Sequence, residues 1–244
     1  MARLPRLAVA GHLHLLIQRV HQQQSVFADP ADRGAYLQCL GEAAAKHGVA
    51  LHGYGLSPSE VRLLATPTDA LALGRMVQSI GRHFVAGFNR RNGRQGALWE
   101  GRFRSTVVEP DDYFLPCLRY VEGATDPRAI EPGTDVVPWS SVEHHAGHRT
   151  DAFVTEHALF WKLGNTPFER EAAYRAAMQR PMAPAEAQGI AIASLRGWVL
   201  GSETFVSHLA QQVERRLRPL PPGRPATLRT KKSSEISGRT SDPN

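Results

Sequence analysis

The stretch VALHGYGLSPSEVRLLATP, residues 49–67, decides how this chain folds. Two runs in which apolar side chains alternate, 49–56 and 60–67, are separated by Ser57, Pro58 and Ser59, residues that favour a turn. The pattern predicts an antiparallel hairpin. Its second arm carries a carboxylate and a guanidinium two positions apart, Glu60 and Arg62, and residues at i and i+2 of a strand share one face.

Working outward, HLHLLIQ (12–18) alternates as a strand, and DPADRGAYLQCLGEAAAKHG follows as a helix with Asp29 or Asp32 as N-cap and Gly48 as stop. Beyond the hairpin, Met76, Ile80, Phe84 and Phe88 recur every fourth position between Asp69 and Asn92, a buried helical stripe ended by Gly93. FRSTVVE (103–109) reads as a strand. PDDYFLPCLRYVEG (110–123) reads as a helix begun by Pro110, with Pro116 as a kink. This order implies an α+β fold, an antiparallel sheet with helices packed on it.

Three segments follow from the composition along the chain: a first domain at 1–145, a helical extension at 146–218, and a basic tail at 219–244 too poor in apolar residues to pack, hence expected to be disordered. The extension shows helix formers in DAFVTEHALFWKLG, TPFEREAAYRAAMQR and LRGWVLGSETFVSHLAQQVERRL, and Trp198, Leu200 and Phe205 fit helix packing. The tail's PPGRPATLRTKK has the Pro-Gly-Arg-Pro core of segments that enter narrow minor grooves.

With 42% hydrophobic residues the 244-residue chain can bury a core, which excludes wholesale disorder. The net charge of +6 and pI near 9.7 favour a polyanionic partner. Cys39 and Cys117 lack the close spacing of a zinc knuckle or a redox dithiol. The opening MARLPRLAVAGHLHLLIQ is broken by Pro5, Arg6, His12 and His14, unlike a signal peptide or membrane span, so a cytoplasmic location is expected.

The arginines cluster. Arg75 and Arg82 lie two helical turns apart with His83 beside them, and Arg90, Arg91 and Arg94 crowd the helix end. Arg102 and Arg104 are expected on one face of the next strand. Helix-dipole complementarity accounts for Arg90 and Arg91 but not for Arg102 and Arg104, so the patch reads as a nucleic-acid face. Trp99, between the clusters in GALWEGRFR, stacks on a base or anchors a loop.

Taken together, MARLPRL, Gln18 and Arg19, YLQCLGEAAAKHG, LHGYGLSP, MVQSIGRHFVAGFNRR, GALWEGRFRS, LRYVE and PWSS resemble the REP-associated tyrosine transposases, a branch of the single-strand HUH transposase family. The resemblance covers residues 1 to about 145, and GWVLGSETF with Gly223 to Pro225 resembles the extension of longer members. It implies a ferredoxin-like sheet, a homodimer, single-stranded or hairpin DNA as partner, and no membrane. It also implies chemistry by two strand histidines that hold Mg²⁺ or Mn²⁺, a nucleophilic tyrosine, and a polar ligand one turn beyond it.

At the two histidine positions stand Glu60 and Arg62. Glu60 can ligate a hard cation, but Arg62 has no lone pair to offer and its charge opposes one. A Glu60–Arg62 contact or an Arg62–phosphate contact is expected instead. The tyrosine is Tyr120; one turn on stands Ala124, with Asp126 as the nearby carboxylate, and the family's RGNN is here Arg19, Val20, His21 and Gln22.

Two histidine groups stand outside that pattern. His12 and His14 have a spacing that could hold a metal but read as half-buried strand residues, and His144, His145 and His148 read as a solvated turn. The favoured reading is a single-stranded or hairpin DNA-binding protein impaired in metal-dependent cleavage, with Arg19, Arg62, Arg75, Arg82, Arg90, Arg91, Arg102 and Arg104 on the DNA. Two alternatives stand beside it: an active nuclease cutting through Tyr120 with Glu60 and Asp126 on the metal, and a structural or interaction protein.

Overall fold

The computed structural model describes residues 6–21, 26–27, 29–123 and 139–219. Gln22, Ala124, Asp126 and the tail from Leu220 onward lie outside them.

Four strands, β1 (Leu13–Arg19), β2 (Val49–Ser57), β3 (Glu60–Pro67) and β4 (Arg104–Val108), form one antiparallel sheet in the order β2-β3-β1-β4. The hairpin closes through Pro58 and Ser59, with Ser57 opposite Glu60 and the Ser57 hydroxyl donating to the Glu60 carbonyl at 3.1 Å. Helix α1 (Pro30–His47) carries the chain from β1 to β2 over the intervening β3, and α2 (Ala72–Arg91) carries it from β3 to β4. This is the split βαβ arrangement of ferredoxin-like folds.

The helix ends follow the local chemistry. Asp29 Oδ1 accepts from the Ala31 amide at 2.8 Å, Pro30 occupies the first turn, and Gly48 closes α1 with φ 65°. Asp32, the other candidate cap, is buried and takes Arg91 at 2.6 Å. Helix α2 starts three residues later than the stripe suggested, because Asp69 Oδ1 caps a turn at the Leu71 amide. Helix α3 (Pro110–Glu122) runs on through Pro116.

Strand alternation splits the core in two. Leu16, Val61, Leu63 and Ala65 face α1 and α2, where Tyr36, Leu40, Met76, Ile80, Phe84 and Phe88 are buried. Leu13, Leu15, Leu64 and Val108 face α3, against Phe114, Cys117, Leu118 and Val121. Each such large apolar side chain contributes roughly 1.5–3 kcal/mol. Gly53 lets α3 come this near: a Cβ there would sit 2.6 Å from Leu118 Cδ1.

Short α4 (Val142–His145) precedes the extension, which comprises α5 (Ala158–Trp161), α6 (Pro167–Gln179), α7 (Pro184–Arg196) and α8 (Glu203–Ala210). It is less helical than the composition suggested. Of DAFVTEHALFWKLG only α5 is helical, since Val154 bridges Leu51 and the Thr155 amide donates to the Leu51 carbonyl at the β2 edge. Gly197, at φ 67°, ends α7, so Trp198 and Leu200 are not helical. Instead Leu200 pairs with the free edge of β4: its amide donates to Val107, and its carbonyl accepts from Glu109. No helix among the described residues is long and apolar enough to cross a membrane.

Candidate nucleic-acid interface

The sheet register places four charged side chains on the α3 face at one end. Gly55, Arg62, Ile17 and Arg104 lie side by side across the four strands, and Ser57, Glu60 and Arg19 form the adjoining row. Directly paired residues share a face. Leu64, on that face two residues beyond Arg62, packs against α3, which fixes which way the row points.

Glu60 is held from both sides. Arg19 Nε donates to one carboxylate oxygen at 2.8 Å and Arg62 Nε to the other at 2.6 Å. The Arg62 side chain is only 21% exposed and that of Glu60 12%, so their bond forms where water competes weakly, whereas Arg19 is 48% exposed. Arg62 Nη1 also donates to the Tyr120 carbonyl at 2.8 Å, and the guanidinium carbon lies 4.0 Å from the Tyr120 ring centroid. The two guanidiniums outweigh the single carboxylate, so the triad is net cationic.

This donor set does not fit Mg²⁺ or Mn²⁺. Both Glu60 oxygens are already charge-paired, and Arg62 has no lone pair to give. Its fixed charge would oppose a divalent cation at 4 Å by several kcal/mol. Among the described residues no group of three or more His, Cys, Asp or Glu is arranged to hold a metal. Burial pushes the Tyr120 hydroxyl above its ordinary pKa, against the lowering pull of Arg62, which leaves little phenolate at neutral pH.

The remaining arginines do not form one patch. Arg102 precedes β4 rather than sharing a strand face with Arg104, because Gly101, at φ 65°, turns the chain before the strand begins. It lines a cleft on the α2 side with Arg6, Gln18 and Arg75, while Arg75 lies 3.4 Å from Asp69. Arg82 and Arg90 are exposed on α2. Arg91 follows Phe84 by two turns, on the buried side, and ties α2 to Asp32 of α1. Trp99 anchors the loop before β4 by packing on Tyr36 and Phe84.

One residue each of LRYVE and PWSS, with two from beyond them, build a support that the sequence did not disclose. Glu122, 1% exposed, accepts from Ser141 Oγ at 2.5 Å, from His145 Nδ1 at 2.7 Å and from the Tyr174 hydroxyl. Ser141 Oγ in turn accepts from the Tyr54 amide. His145 is therefore buried, not solvated: burial pulls its pKa down, and the Glu122 carboxylate outweighs that and raises it. The signal lay in Glu122 and Ser141, polar residues inside motifs that otherwise pack. His14 is likewise fully buried, accepting from the Val9 amide at Nε2 and donating from Nδ1 to the His12 carbonyl.

A larger cleft, ≈ 790 Å³, opens between α3 and the α6–α7 turn, with Arg62 and Tyr120 in its wall. No family model matches the chain, and no curated protein matches it. Among solved structures, one of a REP-associated tyrosine transposase bound to a REP hairpin superposes with a TM-score of 0.46 at 12% identity, covering 65% of this chain and 96% of that one. A candidate transposase from Deinococcus radiodurans R1 superposes with a TM-score of 0.36 at 19% identity, covering 50% of this chain and 98% of that one.

Proposed function

We propose that the chain binds single-stranded or hairpin DNA through phosphate contacts at Arg19, Arg62 and Arg104, on a transposase-like scaffold in which an arginine–carboxylate triad stands where the metal site would be. The observation that carries this reading is the clamping of both Glu60 oxygens by Arg19 and Arg62. A net cationic triad attracts a phosphate and repels the cation that cleavage would need. The motif resemblance and the ferredoxin-like topology support the same reading. Arg75, Arg82, Arg90 and Arg102 would contact DNA on the α2 side of the sheet, and Arg91 would serve the fold.

The test is incubation of the purified chain with labelled single-stranded hairpins, with and without Mg²⁺ or Mn²⁺, scoring shifted and denaturant-resistant complexes. Shifted complexes without covalent product are expected under all conditions. Covalent adducts that disappear in Tyr120→Phe would overturn the loss of cleavage. Absence of any shift would overturn DNA binding itself, and a wild-type shift left unchanged in Arg19→Ala/Arg104→Ala would overturn this binding face.

A further inference from the structure

The cleft beside Tyr120 has two kinds of wall. Met178, Met182, Val142 and the Tyr120 ring make it largely apolar, while Arg62, Arg119 and Arg180 bring positive charge. Its two acids are turned to other partners. Glu122 is engaged by Ser141, His145 and Tyr174, and Glu143 by His148 at 3.0 Å. Gln179 adds an amide that both donates and accepts. At ≈ 790 Å³ the cleft falls within the range of about 300–1,000 Å³ of sites that enclose small ligands.

Arg62 is already paired with Glu60, but an apolar occupant would leave the charge of Arg119 and Arg180 unused, and a bare anion would leave the methionine wall unfilled. A nucleotide matches both, with a flat apolar base joined to a phosphate. We propose that this cleft takes one unpaired nucleotide of the bound strand, its base against Tyr120, Met178 and Met182 and its phosphate toward Arg62 and Arg119. The proposal rests on the DNA-binding reading and extends it: the extension, through the α6–α7 turn, supplies half of the base site. The Arg119 guanidinium donates to the Arg180 carbonyl, so the turn is tied to α3 at the mouth of the cleft. A flexible, polarizable thioether wall accepts any base, so the site would select unpaired over paired nucleotides rather than one sequence.

The experiment compares binding of the full chain to a fluorescent 12-nucleotide single strand and to an abasic strand of the same length. Ala187, which lines the cleft, is replaced by Trp to fill it without touching an arginine. Ala187→Trp should weaken the base-bearing strand about tenfold and leave the abasic strand unchanged. Equal loss on both strands, or no loss on either while Arg19→Ala still weakens binding, would overturn the base site and leave the phosphate triad standing. Failure of the wild-type chain to bind either strand would remove the DNA reading and this site with it. Should Ala187→Trp not fold, photocrosslinking of the wild type to a 5-iodouridine strand decides: adducts at Tyr120 or residues 178–182 are expected, and adducts confined elsewhere would overturn the site. Displacement of the strand by anionic vesicles or an acidic peptide but not by dTMP would assign the cleft to another occupant and also overturn it.

Discussion

Arg62 reaches Tyr120 twice, laying its guanidinium carbon 4.0 Å from the ring centroid and donating from Nη1 to the same residue's carbonyl. With Glu60 on its Nε, three different groups hold one side chain. Removing it should cost stability as well as affinity. Arg62→Ala is expected to destabilise the fold by about 1–3 kcal/mol, because the buried Glu60 loses a charged donor and Tyr120 loses a cation. Urea unfolding measures the first loss. Fluorescence anisotropy measures the second, a roughly tenfold drop in single-strand affinity with a shallower salt dependence.

If phosphate binds as proposed, Glu60 competes with it for the same two guanidiniums. Glu60→Gln should therefore raise single-strand affinity severalfold at low salt and steepen the salt slope by about 0.7, one further single-strand phosphate contact's worth. A weaker complex would mean that the carboxylate positions the arginines more than it occupies them. Thermal unfolding of the variant checks that the fold is intact.

The hairpin, the Asp29 cap and the Met76–Phe88 stripe were legible because each is a local pattern, closed within a few residues. The Glu60–Arg62 contact was legible for the same reason. Arg19 was not: it joins Glu60 from 41 positions away, through the register of β1 on β3. The arginine patch was misread where strand limits mattered, since Gly101 keeps Arg102 out of β4 and sends it to the opposite side from Arg104. Leu200 looked helical because apolar residues next to helix formers carry no sign that they will pair with a strand edge formed 90 residues earlier.

Acid should loosen this fold through two histidines. Burial lowers His14 and His52 from 6.5 to about 4, despite backbone hydrogen bonds that favour the charged form. Their folded values lie below the unfolded one, so the stabilisation is complete above pH 6.5 and is lost as pH falls toward 4. Each contributes on the order of 3 kcal/mol. His145 has the opposite sign, because Glu122 raises it: its contribution is present below pH 6.5 and fades as pH rises through its folded value. Denaturation followed from pH 7 to 4 should show a loss of several kcal/mol. The slope should flatten in His14→Gln and in His52→Gln.

The buried Glu122 decides the charge of His145. With Glu122→Gln only the Ser141 carbonyl and Glu156 are left to oppose burial, so the His145 pKa should fall, readable by NMR titration of the ring protons. Glu122→Ala, which leaves His145, Ser141 and Tyr174 without their acceptor, should cost about 3–5 kcal/mol. A His145 titration unmoved by Glu122→Gln would mean another group sets its charge.

Gly53 is a position of the hairpin where a methyl group has no room. Gly53→Ala should cost about 1–3 kcal/mol, since Leu118 is fully buried and Ser141 Oγ stands 3.3 Å from the added carbon. The loss should appear in unfolding midpoints, while Gly81→Ala, in open space inside α2, should raise the midpoint slightly.

Both outer strands of the sheet are covered by the chain's own later residues. Trp139, Ser141 and Thr155 hydrogen-bond along β2, and Leu200 along β4. A bare strand rim is a template on which another polypeptide can continue the sheet, and these straps occupy both rims. Addition of a further strand is thereby hindered along β2 and at the Val108 end of β4. The same feature gives the C-terminal half a protective duty that is separate from DNA: a chain cut after residue 145 would bare the β4 rim, and its fate in concentrated solution would be clumping rather than orderly pairing.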